Sequence, residues 1–377
     1  MIRVTFIITG LEEGGAEVML YRLLGAIDQS RFEPIVISLM AKDTRIGSLI
    51  EQSGIMVHTL GIHHGQLSAR AMLRLISLVR SLQPDIIQGY MYHGNLAASL
   101  TGLLANYKIP VLWNIHHVPY NLKDEKMGTA LIIRMGKIFA HWVKRIIYVS
   151  RESSTRHESL GYPSKLTKVI PNGFDCAVFK PSSMARTELR GTLGVSENDI
   201  LIGLIGRYHP MKDHANFINA AGILVKKYAN VYFLLAGREV DEKNKEIDRL
   251  VQQNKLCDRV HLLGVRNDIP QINASLDISS SSSFSEAFPL VVGEAMACGV
   301  PCVVTDVGDS AWVVGDTGKV VPPRDAEALA EAWSFLIEQG PEERNRLGNK
   351  ARQRILENFT LDKIVQEYEM LYESASV

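Results

Sequence analysis

The stretch Ser279–Thr305, S-S-S-S-S-F-S-E-A-F-P-L-V-V-G-E-A-M-A-C-G-V-P-C-V-V-T, decides how the whole chain is read. A strand runs into a polar loop, a helix opens near Pro289, a glycine stops it, and the β-branched run Val300–Thr305 is the next strand. Two acids, Glu286 and Glu294, lie eight residues apart across Phe288-Pro289. With a helix from Pro289, Glu286 sits just before the N-terminus and Glu294 about a turn and a half in. The unpaired amides of Leu290 and Val291 then face the mouth of the loop, where an anion fits. A glycine-bearing polar mouth between apolar flanks also describes an ordinary core, so pattern alone leaves both readings open.

Strands and helices alternate outward from this stretch in both directions, which calls for parallel sheets covered on both faces. At 377 residues the chain exceeds what one hydrophobic core usually holds. The alternation restarts at Ile200 after a looser stretch with an Asn172-Gly173 turn. The expected organisation is α/β, two Rossmann-like parallel-sheet domains facing a cleft: a first domain over 1–175, a linker over 176–195, and a second domain over 196–360.

A hydrophobic content of 46% with 22% charged residues is that of a folded globular protein. No apolar run is long enough to span a bilayer, and M-I-R-V-T-F-I-I-T-G reads as a first strand rather than a signal peptide, so the expectation is a cytoplasmic protein. The four cysteines have neither disulfide-framework density nor metal-ligand spacing. Net charge is zero, but residues 1–180 carry 20 Lys+Arg against 13 Asp+Glu, net +7, which leaves 21 against 28, net −7, for the rest. That asymmetry hints at an anionic partner for the first half, membrane lipid or a phosphate-bearing acceptor. Nucleic acid is a poor fit, because charge is balanced overall and aromatics interleave with cations in one segment only. That segment, Leu131–Arg145, reads as a basic amphipathic helix with Leu131, Ile132, Met135, Ile138, Phe139 and Trp142 on its apolar face. It fits peripheral contact with an anionic membrane, or a helix packed on the sheet with its cations snorkelling.

Candidate site residues gather at the carboxyl ends of strands, where α/β sheets bind ligands. Gly14 and Gly15 follow the first strand and precede a helix, although a tight ligand-free turn gives the same pattern. His116 and His117 end the strand Ile109–Ile115, and in extended chain only one of them faces the crevice. Position favours His116, with a structural hydrogen-bonding role as the plain alternative. Arg207 and Lys212, five residues apart after Ile205, suit a diphosphate, one by its forked donors and the other as a compact charge. Glu294 offers two acceptor oxygens for a ribose diol.

Taken together, these residues resemble the GT-B-fold retaining glycosyltransferases of glycosyltransferase family 4, over nearly the whole chain. The likeness rests on G-G-A-E (14–17), I-P-V with I-H (109–116), I-P-N-G-F-D (170–175), G-R with K (206–212), L-G-V-R-N-D-I (263–269), E-A-F-P-L-V-V-G-E-A-M-A-C-G-V-P (286–301) and G-D-T-G-K-V-V-P-P (315–323). The resemblance implies that Glu294 holds the nucleotide ribose, and Arg207 and Lys212 the diphosphate. It gives the phosphates and donor sugar to the amides of Phe288, Pro289, Leu290 and Val291 (proline contributing only its place in the turn). Glu286 is implied to face the sugar hydroxyls or reacting centre, His116 to lie beside the anomeric carbon, Gly15 to admit the phosphates, and the backbone near Arg266 to read the base. The same resemblance carries the last helix, within 361–377, back to the first domain.

It implies front-face transfer with retention from a nucleotide sugar, a UDP-hexose such as UDP-glucose or else GDP-mannose, with no cofactor and no metal; no Asp-x-Asp pair is present. The acceptor implied is a glycan or a polyprenyl-diphosphate-linked glycan, at the inner face of the cytoplasmic membrane. Asp213 after Lys212, Ser281–Phe284 before the first acid, and Ala287 after it depart from the usual pattern, so donor-sugar identity transfers least well. A sugar-nucleotide epimerase, a phosphorylase, or a non-catalytic sugar-nucleotide-binding scaffold are the competing readings.

Overall fold

The structure is a computed structural model that describes residues 1–12, 14–40, 44–62, 68–105, 109–123 and 125–376. Glu13 of the glycine-bearing turn lies outside the described residues. The chain divides into two compact units, Met1–Gly173 with Leu361–Val377, and Phe174–Thr360.

In the first unit seven strands, β1 (Ile2–Ile8), β2 (Phe32–Ser38), β3 (Met56–Thr59), β4 (Ile86–Tyr90), β5 (Val111–Ile115), β6 (Arg145–Tyr148) and β7 (Thr167–Val169), pair in parallel in the order β3-β2-β1-β4-β5-β6-β7. Central β1 is apolar along nearly its whole length because both of its faces are covered. Val4, Phe6 and Ile8 point to one layer, with Leu20, Leu23 and Leu24, while Ile7 points to the other, with Leu75, Val79 and Trp113. The terminal helix Leu361–Ser376 belongs to this unit and buries Ile364, Val365, Tyr368 and Tyr372 in the same layer as Phe6. Tyr372 donates to Gln88 Oε1 at 2.7 Å and Asn114 Nδ2 donates to Tyr368 Oη at 2.7 Å, so buried polar groups fix the helix in register on β4 and β5.

The second unit holds β8 (Ile200–Ile205), β9 (Val231–Ala236), β10 (Val260–Leu262), β11 (Ile278–Ser281), β12 (Cys302–Thr305) and β13 (Lys319–Val321), again all parallel, in the order β10-β9-β8-β11-β12-β13. Both sheets are doubly wound, with strand order reversing beside the first strand of each. The core of the second unit is built around Phe217, Phe233 and Trp333, whose rings meet at 5.0 to 5.9 Å.

Several elements differ from the sequence reading. Strand β7 was not expected; its three residues form a partly exposed edge with no apolar alternation to announce it. The linker is not loose throughout, since Ser183–Leu193 is a helix capped by Ser182 and ended by Gly194 in the left-handed region. Its Arg186 and Arg190 grip the two carboxylate oxygens of Asp277, each at 2.9 Å, which ties this segment to the strand edge at β11. The segment Leu131–Arg145 is not one helix: the helix runs Met127–Phe139, a 3₁₀ turn follows over Ala140–Trp142, and Arg145 opens β6. Its packed side also differs from the expected apolar face, of which only Ile132 and Phe139 lie half-buried against the core. Ala130, Ile133, Gly136 and Ala140 are buried, because Tyr162 comes so close that a Cβ on Gly136 would meet its hydroxyl, and Leu131, Met135, Ile138 and Trp142 are left outside.

Candidate active site

Within the second unit, the loops after β8 and β11 meet at the switch point of strand order, since these two strands are hydrogen-bonded neighbours. The loop after β8 carries Arg207 and Lys212. His209 caps the short Pro210–Lys212 turn, its Nδ1 accepting from the Met211 amide at 3.3 Å, and Asp213 in the left-handed region caps the helix His214–Leu224. The two loops are sewn together: the Phe284 amide donates to the Met211 carbonyl at 2.9 Å, and the Ser282 hydroxyl lies 2.8 Å from the Lys212 carbonyl and 2.9 Å from that of Asp213.

The result is an ion pair across the junction. Lys212 Nζ lies 2.5 Å from Glu286 Oε1, and the Ser283 hydroxyl donates to the same oxygen at 2.8 Å. The Lys212 and Glu286 side chains are a quarter exposed or less. Arg207 is exposed and meets no carboxylate among the described residues. Both cations act on His209, whose pKa is lowered first by burial and then by Arg207 and Lys212, so the two positive charges converge on one locality.

The helix after this loop runs Leu290–Ala297, one residue later than a start at Pro289. Pro289 is its N-cap with no side-chain cap, and the first amides bonded back to the Pro289 carbonyl are those of Val292 and Gly293. The Leu290 and Val291 amides therefore sit at the open, electropositive end. Phe288 is buried and stacks on Phe174 with ring centroids 6.1 Å apart, which seats the turn on the core. Glu294 is buried on the same helix, 6% exposed. Gly308, at φ +53°, lies so close to the acid loop that a Cβ would stand 2.3 Å from the Glu286 carbonyl, and the neighbouring Asp309 amide donates to the Ala287 carbonyl at 3.1 Å. Arg266 spends its guanidinium on Asp268, as two hydrogen bonds of 2.8 and 2.5 Å, and so stiffens the loop after β10.

In the first unit, Gly14 caps the helix Gly15–Ala26 in extended backbone without a side-chain cap, and Gly15 is exposed. His116 follows β5 and stacks on Tyr90, centroids 5.6 Å apart at 25°. Together with Met19 and Leu23 of the glycine-led helix it lines a cavity of about 10 Å³, the size of a single water site. Its Nε2 is enclosed and makes no hydrogen bond among the described residues. Burial holds its pKa at about 3, so the imidazole is neutral at physiological pH. His117 takes the other direction, as alternation requires, with Nε2 2.6 Å from Glu125 Oε1.

The sequence reading passed over three features. One is the anchoring of the serine run: Ser279–Ser283 are all buried, Trp333 Nε1 donates to Ser280 Oγ at 3.2 Å, and Thr305 bonds back to Ser283. Another is Ser283 itself, which shares Glu286 with Lys212. The third is His157, buried between Tyr92, at 3.0 Å, and the Ser153 carbonyl, at 2.8 Å, with its pKa lowered to about 4 by burial. A serine before the acid was the one visible signal; the others join residues far apart in the chain. Among the described residues no cluster of His, Cys, Asp or Glu could hold a metal ion.

Comparison with known proteins fits this geometry. The pattern of the family described as "Glycosyltransferase Family 4" matches residues 13–178, and that of "Glycosyl transferases group 1" matches residues 185–354. N-acetyl-alpha-D-glucosaminyl L-malate synthase of Bacillus anthracis is 30% identical over 279 residues, 74% of this chain and 71% of that protein. The UDP-Gal:alpha-D-GlcNAc-diphosphoundecaprenol alpha-1,3-galactosyltransferase of Escherichia coli is 24% identical over 314 residues, 80% of this chain and 79% of that one. Among solved structures, Anabaena HepE, crystallised in complex with UDP and with UDP-glucose, superposes with TM-scores of 0.87 and 0.86 at 25% identity, covering 99% of this chain and 100% of HepE. Two doubly wound units, with cations, acids and an open helix end gathered at a switch point, define a glycosyltransferase of GT-B architecture. The chain belongs to glycosyltransferase family 4.

Proposed function

We propose that the protein moves a hexose from a UDP-sugar, UDP-glucose or a close relative, to a glycan or polyprenyl-diphosphate-linked glycan in polysaccharide biosynthesis, with retention at the anomeric carbon. The observation that carries the reading is the ion pair of Lys212 with Glu286, with exposed Arg207 on the loop that carries Lys212 and the uncapped Leu290 helix following Glu286. HepE, bound to UDP and UDP-glucose, supports the donor, and the Escherichia coli relative, named for UDP-Gal and a diphosphoundecaprenol-linked acceptor, supports the acceptor class.

In this reading Arg207, Lys212 and the Leu290 and Val291 amides hold the diphosphate and stabilise the charge that builds on it as the glycosidic bond breaks. The departing phosphate oxygen takes the acceptor's hydroxyl proton, and the new bond forms on the face the leaving group vacates. Glu286, fixed by Lys212 and Ser283, orients the sugar instead of attacking it. Glu294 accepts from the ribose hydroxyls, and the backbone around Arg266 meets the base. His116, neutral through burial, serves the sugar by hydrogen bonding and not as a cationic acid. No resident cofactor is needed, because the diphosphate is neutralised by side chains and amides.

The test is a panel of nucleotide sugars, UDP-glucose, UDP-galactose, UDP-N-acetylglucosamine and GDP-mannose, followed for binding and for nucleotide release with the product's anomeric configuration read by NMR. Selective turnover of a UDP-hexose with retained configuration supports the reading. Preference for GDP-mannose overturns the donor, an inverted product overturns the mechanism, and tight binding without turnover in the presence of lipid-linked and soluble acceptors marks a binding module.

A further inference from the structure

The helix Met127–Phe139 and the turn after it are built inside out. Their buried positions are Ala130, Ile133, Gly136 and Ala140, small residues or one isoleucine. Ile132 and Phe139 lie half-buried against the core, but five large apolar side chains face solvent: Met127 is 91% exposed, Leu131 57%, Ile138 56% and Trp142 61%, with Met135 beside them at 38%. Positions 127, 131, 135, 138 and 142 follow the helical repeat, so they form one stripe. The packing side is already in use against Tyr162, whose hydroxyl donates to the Ile133 carbonyl at 2.8 Å, and among the described residues the stripe stays exposed. A soluble surface seldom collects such side chains in a row.

The charges around the stripe are of one sign. Residues 126–145 contain Lys126, Arg134, Lys137, Lys144 and Arg145 and no Asp or Glu. All five are exposed, and none pairs with a carboxylate among the described residues. Trp142, edge-on to Phe139 at 5.5 Å, stands at the end of the stripe beside Lys144 and Arg145, the placement of an interfacial aromatic anchor. No helix among the described residues is long and apolar enough to cross a membrane.

We propose that this face docks on an anionic lipid surface, with Met127, Leu131, Met135, Ile138 and Trp142 entering the headgroup boundary and the five cations meeting lipid phosphates. A second copy of the chain is a worse occupant, because two such faces would bring ten cations together without an acid between them. The inference stands apart from the donor and acceptor reading, since docking needs neither substrate.

The test is flotation of the full chain with vesicles of phosphatidylcholine alone and of phosphatidylcholine with phosphatidylglycerol, alongside Trp fluorescence. The expected result is binding to the anionic vesicles only, reversed by salt, with a blue shift lost in Trp142→Phe. The exposed-residue variants Leu131→Ser/Ile138→Ser and Arg134→Gln/Lys137→Gln should each weaken binding at least about tenfold. Their melting temperature and nucleotide-sugar affinity should be unchanged. Equal binding to neutral vesicles, no binding to either, or binding unaffected by both variants overturns the proposal. So does a concentration-dependent dimer that the Leu131→Ser/Ile138→Ser change abolishes.

Discussion

Lys212 Nζ and Glu286 Oε1 lie 2.5 Å apart although 74 positions separate the residues in the chain, and the Ser283 hydroxyl donates to the same oxygen. The pair joins the cation of one switch-point loop to the acid of the other. Lys212→Ala is therefore predicted to cut turnover of the nucleotide sugar by roughly 10²–10³-fold, the scale for removing one electrostatic donor from a transition state. It should change stability by less than about 1 kcal/mol, because the ammonium is partly exposed. Initial rates and melting curves on the same preparation decide it. Glu286→Gln should also slow turnover, and the double variant should lose less than the product of the two single losses if both side chains act on one event.

The helix that presents the Leu290 and Val291 amides is held down at Gly293. A Cβ there would stand 2.0–2.5 Å from three atoms of the Phe174 ring, which is fully buried and cannot yield. Gly293→Ala should cost about 1–3 kcal/mol through overpacking and, by lifting the helix start, raise the donor KM. A variant with wild-type melting temperature and KM would show that the contact relaxes freely.

Three histidines, His157 and His214 buried and His116 half-buried with its Nε2 enclosed, set an acid limit on stability. His116 titrates at about 3, and His157 and His214 at about 4, against an ordinary value of 6.5, in each case chiefly because burial disfavours the cation. The unfolded chain thus binds more protons between these values, and the stability fully present above about pH 6.5 is lost as pH falls toward 4. Melting temperature, followed by calorimetry, should drop steeply through that window, and His157→Asn should flatten the fall for the first unit. A transition temperature independent of pH down to about 4.5 would contradict the assignment.

The terminal helix is fixed by its polar contacts as well as by apolar burial. Tyr372→Phe removes the 2.7 Å bond to Gln88 Oε1 in a fully buried place and should destabilise by about 1–3 kcal/mol. Chemical denaturation monitored at the first unit measures it. A loss below about 0.5 kcal/mol would mean that Gln88 finds another donor.

Much of this was legible in the chain because doubly wound sheets write themselves plainly. Strands covered on both faces are mostly apolar, Ile2–Ile8 with only Arg3 and Thr5 intervening and Val231–Ala236 with only Tyr232 carrying a polar group, and a glycine follows each. The helix that opens after Phe288-Pro289 and the two cations after β8 were readable from spacing, since each depends on a few adjacent residues. What escaped depends on tertiary partners. Nothing local tells that Leu131, Ile138 and Trp142 face outward; apolar periodicity names a stripe, and only Tyr162 against Gly136 decides which side is packed. The same holds for the serine run, polar by composition yet buried, because Trp333 and Thr305 supply its partners from elsewhere in the unit. The helix Ser183–Leu193 is a different case: Ser182 and Gly194 were present as cap signals within a stretch read as linker.

The most direct test of the central claim is titration of UDP-glucose and GDP-mannose into the wild-type protein and Lys212→Ala, with nucleotide release measured in parallel. The account predicts that the wild type prefers the UDP-sugar and releases UDP, and that Lys212→Ala keeps its fold but loses release by about 10²-fold or more. Release that is indifferent to Lys212 in a folded variant, or a wild type that turns over neither sugar nucleotide, would contradict it.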